Sequence, residues 1–233
     1  MNRYDHKGVS HYEFLERLHR WLNPRTYLEI GTLKGGTLRL ASCPTICIDP
    51  EFQLDVSSAA NREVTLFYQK TSDRFFQDHS PSALLNGPVD LGFLDGLHEA
   101  ETLLRDFANL EKHCRSNSVI AIHDCIPMDV GQTTRINNGG LWTGDVWKVV
   151  PILKEYRPDI SIFVFDAHPT GLVCCTNLDH GNTILDGMYG EIWRTWRSTE
   201  LSDYGFSRLI EEANIISTSR VETPEEMRRY FWL

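Results

Sequence analysis

The sequence predicts an α/β fold: a doubly wound seven-stranded sheet, mostly parallel with an antiparallel last strand, followed by a helical tail. Three observations carry that reading. Short apolar runs alternate with amphipathic, helix-length stretches over residues 26–175, as in a parallel sheet covered on both faces. The first run ends in a glycine-rich turn that leads towards a helix, the order a nucleotide-type site needs. The last two runs, ISIFVF (160–165) and GLVCC (171–175), are joined by DAHPT, a connection short enough for an antiparallel hairpin.

Each element has its own signal. Between Ser10 and Asn23, Phe14, Leu15, Leu18, Trp21 and Leu22 recur at helical spacing, and Asn23-Pro24 stops the helix. TYLEI (26–30) is the first strand, and residues 37–41 open the next helix. TICI (45–48) ends in Asp49-Pro50, and VTLFY (64–68) is the third strand. VDLGFLD ends at Asp95 and precedes a helix with an apolar face of Leu97, Ala100, Leu103, Leu104, Phe107 and Leu110. SVIAI (118–122) runs into His123-Asp124. Residues 126–147 hold little periodicity and much glycine, asparagine and threonine, which suits a lid or substrate loop at the carboxyl edge of the sheet. GDVWKVVPILKEY then gives a helix with Pro151 early in it. From Gly181 the alternation stops. Residues 1–180 are therefore expected to form one domain. Residues 181–233, with Trp193, Trp196, Tyr204, Phe206 and Trp232, are expected as an aromatic-rich tail that caps the sheet or buries a dimer contact.

Composition narrows the function classes. The chain of 233 residues is 41% hydrophobic and 24% charged, which excludes a disordered or low-complexity protein. A net charge of −9 speaks against a nucleic-acid or anionic-membrane surface and for a small-molecule partner. No apolar stretch approaches a membrane span, and the opening residues are too polar for a signal peptide, so a cytoplasmic location is expected. Six scattered cysteines form no CxxC framework and are expected as reduced, buried thiols.

The strongest motif is Glu29-Ile30-Gly31-Thr32-Leu33-Lys34-Gly35-Gly36-Thr37, at the end of the first strand. It is neither a P-loop, since Gly35-Gly36 stand where Gly-Lys would be needed, nor GxGxxG, since residue 33 is leucine. What remains is ExGxxxGxT with an acid, Asp49, at the end of the next strand, where a carboxylate accepts hydrogen bonds from both ribose hydroxyls. On these residues the chain resembles the class I S-adenosylmethionine-dependent methyltransferases over residues 25–175, which implies a Rossmann-like sheet and S-adenosyl-L-methionine as cofactor. The resemblance implies that Glu29, Gly31, Thr32, Gly35, Gly36 and Thr37 surround the methionine end, Asp49 and Asp95 contribute to the cofactor site, and Ser72 and Asp73 flank the adenine. An ordinary helix cap is an equal reading for Ser72-Asp73.

A second constellation, Asp95-Gly96-Leu97-His98 with His123-Asp124, stands at two strand ends that would be neighbours. Carboxylates and imidazoles meeting there can hold a divalent cation or move a proton. The pattern is similar to a methyltransferase branch related to catechol O-methyltransferase and to metal-dependent enzymes that act on sugars and antibiotics. That likeness implies Asp95, His123 and Asp124 as ligands of magnesium or manganese, with His123 a ligand or a group behind one. It implies His98 as general base beside a catalytic Asp95. An imidazole in the place of an aspartate suits manganese, iron or zinc better than magnesium. Trp142, Asp145 and Trp147 are candidate substrate-pocket residues, with a helix cap for Asp145 and a core aromatic for Trp147 as equal alternatives. His168 and Gly171 read first as a hairpin turn.

The expected function is transfer of a methyl group to a hydroxyl of a small molecule or a sugar or glycan unit, in a homo-oligomer. The alternatives are a metal-dependent hydrolase built on the Asp/His cluster and a cofactor-binding regulator without turnover. The hydrolase would leave the glycine motif and Asp49 without a purpose; the regulator would need neither Asp95 nor Asp124.

Overall fold

In the computed structural model, which describes residues 3–59, 62–137 and 139–232, seven strands form one sheet in the order β3-β2-β1-β4-β5-β7-β6. They are β1 (Tyr27–Ile30), β2 (Thr45–Ile48), β3 (Thr65–Tyr68), β4 (Val89–Leu94), β5 (Cys114–His123), β6 (Ser161–Phe165) and β7 (Leu172–Thr176). β1 pairs in parallel with β2 and β4, β2 with β3, and β4 with β5; β7 runs antiparallel to both β5 and β6. The mostly parallel sheet with an antiparallel last strand is the one the sequence predicts. Asn138 of the expected lid lies outside the described residues.

The helices are α1 (His11–Leu22), α2 (Ser72–Asp78), α3 (Pro81–Leu84), α4 (Ala100–Glu111), α5 (Val149–Tyr156), α6 (Ile184–Trp196), α7 (Leu201–Tyr204), α8 (Phe206–Ala213) and α9 (Pro224–Met227). Ser10 caps α1, its hydroxyl accepting from the Glu13 N–H, and Asn23 closes it in the left-handed conformation. Strand residues alternate between two apolar layers, because successive side chains point to opposite faces. Leu28, Ile30, Ile120 and Ile122 meet α4, α5, α6 and α8; Tyr27, Val119 and Ala121 meet α1 and the α9 region. Tail residues enter both layers: Trp196 and Phe206 join the first, Met227 and Phe231 the second.

Two local expectations fail. The helix expected from residue 37 is only a 3-10 turn, Leu38–Leu40, because Pro44 and the start of β2 at Thr45 leave no length for it. Leu97 is not on the face of α4, which starts at Ala100; it is 56% exposed. The six cysteines are free and buried, and among the described residues no helix is long and apolar enough to cross a membrane.

Candidate active site

The strand order turns back between β1 and β4, and in open α/β sheets the carboxyl ends of the strands at such a point leave a crevice. Here it is a cavity of about 840 Å³. β1 and β4 reach it so close together that a Cβ on Gly31 would lie 1.9 Å from the Asp95 carbonyl oxygen; with φ at +89°, only glycine fits there.

At one end the cavity is lined by Gly31, Leu33, Asp49, Ser72 and Asp73. The Asp49 carboxylate is fixed by backbone N–H groups, accepting from Leu33 at Oδ2 and from Glu51 at Oδ1, both at 2.8 Å. Glu29, two residues before Gly31, is fully buried; the Tyr27 hydroxyl donates to its Oε2 at 2.6 Å, and its Oε1 has no partner. Burial pushes its carboxyl up to about 7 in spite of the Tyr27 hydrogen bond. The Thr32 hydroxyl is likewise buried without a partner. Gly35, Gly36 and Thr37 stand outside the cavity lining, and the Tyr12 phenol lies over Gly36, where a Cβ would be 2.9 Å from its oxygen. The cap of α2 is Thr71 and not Ser72. Asp73 is gripped by Arg105 at 2.9 and 2.8 Å, and Arg105 also donates to the Tyr189 hydroxyl.

At the other end stand Asp95, His98, His123 and Asp124. One donor atom each from Asp95, His98 and Asp124 lies within 4.8 Å of the others, and no other group of this kind occurs among the described residues. His98 Nε2 is 3.1 Å from Asp124 Oδ2 and 3.5 Å from Asp95 Oδ1, while its Nδ1 donates to the Trp142 carbonyl at 3.1 Å. His123 is also committed within the protein. Its Nδ1 is 3.4 Å from Asp95 Oδ1 and 3.5 Å from Asp124 Oδ1, and its Nε2 is 3.3 Å from the Thr170 hydroxyl, which donates to Asp124 at 2.5 Å. The converging trio thus takes in His98 where the sequence suggested His123. Burial opposes both imidazolium forms, but the two aspartates outweigh it and raise both histidines above their ordinary value. Burial would raise Asp95; His123 and His98 hold it well below the carboxylate range instead.

The loop residues divide. Trp142 lines the cavity and stacks on His98, ring centroids 4.9 Å apart, and Gly140 and Leu141 adjoin it. Asp145 is buried outside the lining, accepting from the Ala100 N–H of α4, from Arg135 and from Lys148. It is a cap, though for α4 and not for its own turn, whose cap position makes no side-chain bond. Trp147 is a core aromatic packed edge-on to Trp196 and against Tyr204.

Sequence reasoning missed His11, Tyr12, Lys70, Arg105, Pro169 and Thr170, all of which line the cavity. His11 and Tyr12 open the first helix, whose amphipathic pattern gives no hint that its polar end faces a site. Thr170 lies in the connection DAHPT that reads as a turn, and only the antiparallel placement of β7 beside β5 brings it to Asp124.

The sheet order and the crevice at its switch point define the class I methyltransferase architecture. Residues 28–125, from β1 to just beyond β5, match the family described as "Methyltransferase domain". The fold is similar to the O-methyltransferase TomG from Streptomyces achromogenes, involved in tomaymycin synthesis and solved with SAM. That likeness has a TM-score of 0.52 at 17% identity and covers 72% of this chain and 79% of that one. It is similar too to an O-methyltransferase from Bacillus cereus solved with SAH, with a TM-score of 0.52, 15% identity, and 70% and 79% of the two chains covered. No curated protein matches the chain in sequence.

Proposed function

We propose that the protein transfers a methyl group from S-adenosylmethionine to a hydroxyl of a small molecule, a sugar or a glycan unit. The observation that carries this is one cavity with a glycine turn and a ribose-type carboxylate, Asp49, at one end and the Asp95, His98, Asp124 cluster at the other. The residues fit the cofactor. Asp49 can accept from both ribose hydroxyls, and its place beside the Gly31 turn is the one a ribose-binding acid takes. Asp73, already paired with Arg105, shapes the adenine end through that pair more than by a bond of its own.

S-adenosylmethionine supplies an electrophilic methyl on sulfur. The chain supplies position: the glycine turn and Asp49 fix the donor, and Trp142, Tyr12 and Thr170 bound the space in which the acceptor hydroxyl meets it. Two carboxylates and an imidazole also fit a divalent cation of borderline character, manganese better than magnesium, which would acidify the acceptor hydroxyl. In this reading His98 belongs to the donor set. Six free cysteines accord with the reducing cytoplasm.

Titration calorimetry with S-adenosylmethionine, with and without Mn²⁺, tests the proposal. Saturable binding is expected, weakened about 10- to 100-fold in Asp49→Ala, the scale of a lost charged hydrogen-bonding group. Absence of binding under both conditions removes the reading.

A further inference from the structure

Of the paired glycines Gly35 and Gly36, only the first is needed for its backbone: Gly35 has φ at +71°, whereas Gly36 is not in the left-handed region. What Gly36 supplies is room. A Cβ there would lie 2.9 Å from the Tyr12 phenol oxygen and 3.0 and 3.3 Å from two of its ring carbons, so α1 lowers an aromatic ring onto bare backbone. Tyr12 therefore forms the cavity wall at this point, and Gly35, Gly36 and Thr37 do not. On its other side the ring lies against His11, centroids 4.2 Å apart, and His11 lies against His123 at 4.1 Å. Tyr12 thus stands where the glycine-turn end of the cavity meets the end with Asp95 and Asp124, the place of the donor methyl in the reading above. Its hydroxyl has no hydrogen-bonding partner among the described residues, and the residue is 47% exposed. The phenol keeps its proton: burial raises it above its ordinary value, and the charges of Asp95 and Glu29 add to the rise. The same two acids make this a place that favours positive charge.

We propose that Tyr12 is a specificity-determining residue for the donor: its phenol oxygen presents a lone pair to the sulfonium of S-adenosylmethionine, so that the site holds the cationic donor in preference to the neutral product S-adenosylhomocysteine. The C–H groups on a sulfonium are polarised enough to act as weak hydrogen-bond donors to oxygen, and most of that attraction is lost once the sulfur is a thioether. The preference serves turnover, because a product held less tightly than the donor vacates the site for the next donor. Tyr12 is delivered by α1, outside the residues 28–125 that match the family, so this contact belongs to the chain's own N-terminal helix.

The competing reading is a Tyr12 that only packs on Gly36, and Tyr12→Phe separates the two, since it keeps the ring on the turn and removes the oxygen. Wild type and variant are titrated calorimetrically with S-adenosylmethionine and, separately, with S-adenosylhomocysteine. In the variant the affinity for S-adenosylmethionine should fall about three- to fivefold, the scale of one weak C–H···O contact, while that for S-adenosylhomocysteine stays within about 1.5-fold. The ratio of the two affinities is the decisive quantity, because a merely structural change would weaken both forms alike. A ratio that changes by less than about twofold overturns the proposal, whether both affinities fall together or neither moves. The proposal rests on the methyl-transfer reading, and the two fail differently: a wild-type protein that binds neither form defeats that reading, whereas binding of both with an unchanged ratio in Tyr12→Phe defeats only the role of Tyr12.

Discussion

Asp124 follows β5 directly with φ at +62°, a left-handed conformation that aspartate tolerates better than most residues. That backbone turn sets its carboxylate between His98 and Thr170, where an ordinary continuation of the strand would carry it past the site. The acids at strand ends, Asp49, Asp95 and Asp124, were legible in the sequence because a carboxylate directly after a buried apolar run has few structural reasons to be there. Thr170 and His11 were not, since their places in the cavity depend on which strand lies next to which. Glu29 yields a prediction of its own. Its folded pKa of about 7 lies above the usual carboxylate value, so the native state binds the extra proton and stability falls as pH rises from about 4.5 to about 7, then levels off. Glu29→Gln abolishes that slope. Relative to wild type it should gain on the order of 3 kcal/mol between pH 4 and pH 8. Urea unfolding at the two pH values measures it, and an unchanged difference contradicts the buried-acid account.

Among the elements, the loop of residues 126–147 illustrates how patterning misleads. Its polar, glycine-rich composition suggests a free lid, yet the loop is bolted to the start of α4: Arg135 pairs with Glu101 and Asp145, and Asp145 caps Ala100. The three-dimensional cap was illegible because donor and acceptor are 45 residues apart. The same limit explains Leu97. Its spacing agrees with the face of α4, but Gly96 and the strand end hold it out at the cavity mouth. Gly144 is where the loop presses on the site. A Cβ there would stand 1.9 Å from the His98 carbonyl, at a φ of +58°. Gly144→Ala should therefore cost at least about 1 kcal/mol of stability and move His98. Thermal unfolding gives the first effect. Mn²⁺ affinity gives the second, and a variant that binds the ion as wild type does would show that the loop yields without disturbing the cluster.

At the scale of the molecule, the two apolar layers were readable from strand alternation, whereas the ionic tie that joins α4 to the connection between α5 and β6 was not. Arg157, fully buried after α5, grips Glu111 at the end of α4 and Asp159, and Glu111 also accepts from the Asp179 N–H beyond β7. Sequence alone lists two acids and one arginine, with Glu111 46 residues from Arg157. Arg157→Met leaves a buried carboxylate uncompensated and should lose about 3–5 kcal/mol. Arg157→Met with Glu111→Leu should recover most of it, because an apolar pair avoids the desolvation cost. Denaturant titration of both variants decides; equal losses would mean that the pair contributes more than compensation of charge.

The bridge between Ser10 and His168 also bears on the order in which the site can be made during synthesis. Gly31, Leu33, Asp49, Ser72 and Asp95 all emerge from the ribosome within the first hundred residues, and the pairing of β1 to β4 with one another needs no later strand. The Asp124 end cannot close on the same schedule. It needs α1 from the start of the chain and the turn that carries His168, Pro169 and Thr170, and these meet only after β6 and β7 have been translated and β7 has inserted beside β5. A nascent chain can thus build the Asp49 end of the crevice first, while the Asp124 end waits for contacts more than 150 residues apart, the slowest kind to form. From the completion of β4 until β7 is in place, the chain has one half of its site without the threonine that completes the other.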